Sequence, residues 1–221
     1  MKKLKVLKII FEQSVPSWKI TQFRGAVIAK LGREHVSFHN HLGDDQFHYQ
    51  YPRIQYKSIG GKAALICIDD GTEDIYAFFQ QRNWSIRIGQ EAVDLSIQHL
   101  SADAFQLRVW QASTGYRINN WLALNEKNYD LFTKAESLVE RLTLLERVLT
   151  GNILSFAKGV GYFLEEELKV KITSLHQEKW IDFKQNKLKA FDLNFQTNFF
   201  LPNYIGLGKG ASVGYGVVMK D

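Results

Sequence analysis

Two histidines one residue apart, His39 and His41, lie in the run Val36-Ser37-Phe38-His39-Asn40-His41. If residues 36–41 are extended, both imidazoles point to the same side. Imidazole titrates near pH ~6.5, so a pair on one side can divide acid and base work at neutral pH. Two other readings stand beside that one. The pair are ordinary surface or edge-strand histidines, or they form a mixed N and O metal set with Asp44 and Asp45. The metal reading matches no established ligand spacing such as His-Glu-x-x-His. His35 and His48 lie close enough to compete for the assignment, while His99 and His176 are distant and read as structural or surface residues.

The second feature with chemistry in it is the tail, Gly206-Leu207-Gly208-Lys209-Gly210-Ala211-Ser212-Val213-Gly214-Tyr215-Gly216. Two Gly-apolar-Gly pairs bracket five residues, one of them a lysine. Such a loop can turn peptide N–H groups toward an anion, and nests of that kind bind phosphate. Lys209 would add a point charge. Nucleotide-binding P-loops and Rossmann loops need a helix after the glycines. Here only Val217-Val218-Met219-Lys220-Asp221 follows, which reads as a short strand. Both nucleotide readings therefore fail. A glycine loop running into a strand suits a nucleic-acid backbone, or it is a Gly-rich hairpin with no ligand.

The tail resembles the C-terminal glycine-rich motif of the CRISPR-associated endoribonucleases that cut repeat transcripts into guide RNAs. Gly206, Gly208, Lys209, Gly214, Gly216, Val217 and Val218 fit that motif without a gap. The family also tends to carry a His-rich patch followed by a Tyr-Pro-x-Ile-Gln-Tyr-Lys run. This chain has His39 and His41, then Tyr51-Pro52-Arg53-Ile54-Gln55-Tyr56-Lys57.

The resemblance implies metal-independent cleavage of RNA with no cofactor. A ribose 2′-OH would attack the adjacent phosphorus, leaving a 2′,3′-cyclic phosphate and a 5′-OH. His39 and His41 would carry the proton transfers, with Tyr49 and Lys57 supporting the transition state. Tyr49 reads equally as a strand packing residue, and Lys57 as a solvated hairpin lysine. Repeat RNA would be held by Gly206, Gly208, Lys209, Gly210, Ser212, Gly214 and Gly216, with Arg24 and Lys158 as further contacts. Lys158 has a second reading, as a complement to a helix dipole. Partners beyond RNA would be other CRISPR effector subunits or a second copy in a homodimer. The rival within the same resemblance is a non-catalytic subunit that holds repeat RNA in an effector complex. A metal-dependent nuclease is the third reading.

These residues need elements to position them. Residues 3–12 read as a strand. Ser14 or Ser17 then offers an N-cap, with Pro16 at the helix entry, and Ile20, Phe23, Val27 and Leu31 recur at helical spacing until Gly32. Arg24 falls off that apolar stripe. Gly25 costs the helix ~1 kcal/mol against alanine, for a close contact or a close ligand. Gly60-Gly61 reads as a hairpin turn between 53–58 and 62–68. Asp70 or Thr72 caps a second helix, and a strand at 84–88 closes the unit. Strand, helix, strand, strand, helix, strand is the split βαβ, or ferredoxin-like, order, which RNA-recognition modules share.

The pattern restarts near residue 101. Phe105, Leu107 and Val109 alternate with polar residues. Tyr116 to Leu124 read as extended or irregular. Leu131, Leu138, Leu142, Leu145 and Leu149 mark one long helix. A hairpin from 169–175 and 180–183 follows, then extended sequence at 192–200. The expected architecture is α+β, with two tandem ferredoxin-like units at 1–100 and 101–221. In the second, the glycine loop partly replaces the last two elements.

The composition fits this picture. Hydrophobic residues make up 45%, with fifteen Phe and five Trp, ample for a core. The formal charge is +5, and residues 1–33 hold eight Lys or Arg against the single acid Glu12. A basic segment of that kind favours a polyanion, though it reads equally as a solvated face. The lone cysteine, Cys67, excludes an intrachain disulfide and a cysteine zinc cluster. No run reaches the ~18 apolar residues of a membrane span, so a cytoplasmic protein is expected.

Overall fold

The computed structural model describes residues 2–32, 35–38 and 51–221. The chain divides into two compact units. One comprises Lys3–Gln106 together with Ser212–Gly214, and the other Leu107–Ala211 together with Tyr215–Asp221 and Lys2.

In the N-terminal unit, β1 (Lys2–Ser14), α1 (Ile20–Leu31), β2 (Ile54–Ile59), β3 (Lys62–Ile68), α2 (Gly71–Asp74), α3 (Tyr76–Phe79), β4 (Ser85–Ile88), β5 (Glu91–Asp94) and β6 (Ile97–Leu107) follow in order. The four-stranded sheet runs β2-β3-β1-β6, the ferredoxin-like order. β3 lies antiparallel to β1, with Ile9 opposite Leu65, and to β2, with Tyr56 opposite Leu65. Residues of alternate parity put Ile9, Phe11, Ile54, Tyr56, Leu65 and Cys67 on one face, buried under Phe23 and Val27 of α1 and Phe78 of α3. Phe11, Phe23, Phe78 and Tyr56 meet edge to face at 5.8–6.4 Å, and burying each such ring contributes ~1.5–3 kcal/mol.

Several expectations need correction here. The closing strand is β6, whereas Ser85–Ile88 pairs with Glu91–Asp94 in a separate two-stranded sheet inserted before it. α1 has no serine cap: Ser17–Lys19 form a 3₁₀ turn, and Lys19 occupies the cap position without a side-chain hydrogen bond. A turn packed onto the helix start takes the place that a capping side chain would fill. Val36–Phe38 is also a 3₁₀ turn, not extended. A Cβ on Gly25 would meet nothing within 4 Å among the described residues, so no close contact explains that glycine. The Gly60-Gly61 turn is as expected, both residues at positive φ.

The C-terminal unit has β7 (Val109–Trp121), α4 (Glu126–Lys134), α5 (Leu138–Gly159), β8 (Val170–Phe183), β9 (Asn186–Phe199) and β10 (Val217–Lys220). Its sheet runs β10-β7-β9-β8, the same order once more. Only the second helix is missing; the segment from Leu201 to Gly216 stands in its place, and the last strand is intact.

The expected single helix is two. Ala135 is extended, and Ser137 starts α5 by accepting a hydrogen bond from the Glu140 N–H at 3.2 Å. Leu145 and Leu149 are core, whereas Leu131 and Leu138 are 43% and 62% exposed. The expected hairpin at 169–183 is one strand, β8, paired along its length with β9. Phe191, Leu193, Phe195 and Phe199 of β9 are fully buried, and Phe132 and Phe156 of the two helices meet Phe191 and Phe199.

Candidate functional site

The glycine-rich segment is built as an extension of the sheet edge. Tyr204 N–H donates to Val218 O at 2.7 Å and Val218 N–H to Ile205 O at 2.9 Å, joining the segment to β10. Leu207 N–H donates to Gly216 O at 2.9 Å, and Gly216 N–H to Asn120 O on β7 at 3.1 Å. Tyr215 N–H donates to Gly210 O at 3.3 Å, closing the loop across its width. These N–H groups are spent within the loop and on β7 and β10, which narrows the expected anion nest to the remaining ones.

The glycines are where the chain must come closest to itself. Gly216 has φ +59°, and a Cβ there would overlap the Leu207 carbonyl. Gly208, at φ +77°, leaves room for a pair behind it: its Cβ would come to 2.7 Å from Asn152 Oδ1 and 3.0 Å from Trp121 Nε1. Trp121 Nε1–H donates to that Asn152 oxygen at 2.9 Å. Gly206 backs onto the Ala211 backbone, and Gly210 lies between the rings of Tyr215 and Phe183. Leu207, between the first glycines, is fully buried. Lys209 is exposed, with its Nζ 5.8 Å from the Phe183 ring centre.

Within the C-terminal unit the structure thus gathers Gly206, Gly208, Lys209, Gly210 and Gly216. Lys158 is exposed in the last turn of α5. It lies six residues beyond Asn152, about 9 Å of helix rise away, and so does not join the Gly208 contact. Ser212 and Gly214 belong to the N-terminal unit. Sequence reading missed the Trp121–Asn152 pair, for which no local pattern exists, since the two residues lie on a strand and a helix.

Of the candidate catalytic residues, His39, His41 and Tyr49 lie outside the described residues, as do Asp44, Asp45 and His48. No group of three or more His, Cys, Asp or Glu able to hold a metal occurs among the described residues. The Tyr51-to-Lys57 run is largely internal. Tyr51, Ile54, Gln55, Tyr56 and Lys57 are buried. Arg53 Nη1 donates to Asp69 Oδ2 at 3.2 Å, and Tyr56 OH to Phe38 O at 3.3 Å.

Lys57 is not a solvated hairpin lysine. It is 1% exposed, on the sheet face opposite Tyr56, and burial pushes its amine down to about 7. Arg24 on α1 is half-buried beside Tyr56. Burial lowers its pKa and the tyrosine partly offsets that.

Two ferredoxin-like units in one chain, the second giving up its last helix to a glycine-rich segment, define a class of tandem-fold proteins. Comparison with known proteins gives the family. A model of the Cas6b N-terminal domain matches residues 2–106, and one of the Cas6b C-terminal domain residues 108–221. The chain belongs to the Cas6b family. A crystal structure of Cas6b is 30% identical over the whole of both chains, with a TM-score of 0.91. A second, of the CRISPR RNA processing endoribonuclease Cas6b, is 28% identical over the whole of both chains, at 0.76. An uncharacterized protein of Methanocaldococcus jannaschii is 39% identical over 103 residues, 47% of this chain and 69% of its own length. Csf5, a type IV Cas6 crRNA endonuclease, is 12% identical with a TM-score of 0.59 and shares the fold. Among the described residues no helix is long and apolar enough to cross a membrane.

Proposed function

We propose that this protein binds CRISPR repeat RNA and cleaves it without a metal, producing guide RNAs. The observation that carries this reading is the end-to-end match to Cas6b, including a solved relative named as a CRISPR RNA processing endoribonuclease.

In the proposed reaction one of His39 and His41 removes the proton from a ribose 2′-OH. The 2′ oxygen bonds to the adjacent phosphorus while the bond to the 5′ oxygen breaks. The other histidine gives its proton to that leaving oxygen. The products are a 2′,3′-cyclic phosphate and a 5′-OH, and DNA, which lacks the 2′-OH, is not cut. Tyr49 supports the transition state. Lys57 offsets the charge building on phosphate in the same proposal, which requires its amine, 1% exposed here, to become accessible to the RNA. The glycine loop, Lys209 and Arg24 hold the RNA. Association with a second copy or with other CRISPR effector subunits, in the cytoplasm, fits this role.

The test is incubation of the protein with labelled repeat RNA in EDTA, beside RNAs carrying a single 2′-deoxy at each candidate cut site. Cleavage abolished by one deoxy position is expected. Tight binding without cleavage across several repeats would favour the non-catalytic repeat-RNA-binding subunit. Cleavage lost in EDTA would favour the metal-dependent nuclease.

A further inference from the structure

Trp18 is 72% exposed, at the 3₁₀ turn that leads into α1. A large aromatic left in water costs apolar hydration. Ser17 beside it is exposed and Lys19 is half-buried. The Lys19 Nζ stands 5.2 Å from the indole centre, and reaches Glu91 at 3.5 Å. Ile20, next in sequence, turns inward and is 1% exposed. A protein-docking surface needs a contiguous apolar area. A single indole beside a cation offers instead one flat face, which suits a nucleobase.

The second observation lies two residues along the chain. Ser212–Gly214, the tip of the glycine-rich segment, belongs to this same unit. Val213 packs against the unit's core, and a Cβ on Gly214 would meet Ile20 Cγ2 at 3.9 Å. Trp18 therefore stands two residues from the point where the segment's tip meets α1. Nucleic acid carries base and phosphate on one sugar, so a site that takes a phosphate at the tip needs a place for the base attached to it. The exposed indole is such a place.

We propose that Trp18 is a stacking platform for one unpaired base of the RNA held at the tip of the glycine-rich segment. The inference rests on the RNA-binding reading above. Every base has a π face, so the platform tolerates any base identity. Lys19 lends the stack a cation without contacting phosphate itself.

The experiment is equilibrium binding of labelled single-stranded repeat RNA to the full chain, comparing wild type, Trp18→Ala and Trp18→Tyr over a salt series. Stacking is worth ~1–3 kcal/mol per base, so Trp18→Ala is expected to weaken binding roughly 5- to 150-fold. Trp18→Tyr should recover most of that. The slope of log affinity against log salt should stay at the wild-type value in both variants, because no phosphate contact is removed. Wild type and Trp18→Ala binding alike would overturn the platform and leave the RNA-binding reading standing. So would a changed salt slope, or a Trp18→Tyr variant as weak as Trp18→Ala. A wild-type protein that binds no repeat RNA overturns both.

Discussion

Leu207 and Gly216 close the glycine-rich segment on each other: the Leu207 N–H donates to the Gly216 carbonyl at 2.9 Å, while the Leu207 carbonyl fills the space where a Cβ of residue 216 would sit. The two sit at the bases of the loop, one in each Gly-apolar-Gly pair. Their contact sets the span that the residues between them must bridge.

Gly216→Ala should therefore open the loop at its base. The left-handed backbone alone costs alanine about 1–2 kcal/mol, and overlap with the carbonyl adds to it. Thermal unfolding of the variant should fall by several degrees, and repeat-RNA affinity should fall further than stability explains. Unchanged melting and binding would show that the Leu207 contact relaxes freely.

The Gly208 contact can be probed from behind. Asn152→Ala removes the acceptor of the Trp121 indole N–H, and leaving a buried donor without a partner costs about 1–3 kcal/mol. Urea unfolding should report that loss. Asn152→Asp keeps an acceptor and should retain more of the stability.

Lys57 sets a pH dependence with a definite sign. Its amine holds a proton up to about 7 in the folded protein, against 10.5 as its ordinary value. Between those pH values the unfolded chain binds more protons, so stability rises with pH through the window from about 7 to 10 and this contribution is flat below it. Lys57→Met should flatten the window when urea midpoints are measured at pH 6, 7, 8 and 9. Assayed for cleavage, the same variant separates roles: unchanged single-turnover rates would confine Lys57 to the fold.

Removing either candidate catalytic histidine tests the chemistry. Acid–base catalysis contributes about 10²–10⁴-fold. His39→Ala or His41→Ala should slow single-turnover cleavage on that scale and keep the dissociation constant within a few-fold. A matching loss of binding would instead assign the residue to RNA contact.

Lys209 is exposed on the loop and should make one phosphate contact. Lys209→Gln should lower the salt slope of single-strand binding by about 0.7. An identical slope would remove it from the interface.

Much of this fold is legible where local signals are strong. Ile20, Phe23, Val27 and Leu31 mark α1 down to its stop at Gly32, and the paired glycines mark the first hairpin. β6 was hidden because Ile97–Leu107 is mostly exposed, with only Leu107 buried, so it lacks the alternation that a half-buried strand shows. The neighbouring Ser85–Ile88 does alternate, so the sequence pattern points there instead. β8 is likewise exposed along most of its length, and its turn to β9 uses Lys184 at φ +56° in place of a glycine. The break between α4 and α5 did carry a signal, Ser137 with Glu140 three residues on. The leucine spacing across it masked that signal. At the site, the glycine motif was readable as a pattern. The burial of Lys57 was not, because its position in the run says nothing of what covers that face of the sheet.

The missing helix of the C-terminal unit has a consequence for how such a protein can change. A helix in that place could drift in sequence on its outer face while its own hydrogen bonds held its shape. The segment that replaces it holds its path through bonds to β7 and β10 and through glycines pressed on neighbouring atoms. Its backbone route is thus tied to the folding of the edge strand. Freedom to retune remains at the side chains that face outward, such as Lys209. Under the proposed RNA-binding role, new preferences would arise by exchanging those side chains on an unchanged track, with little scope for remodelling the loop.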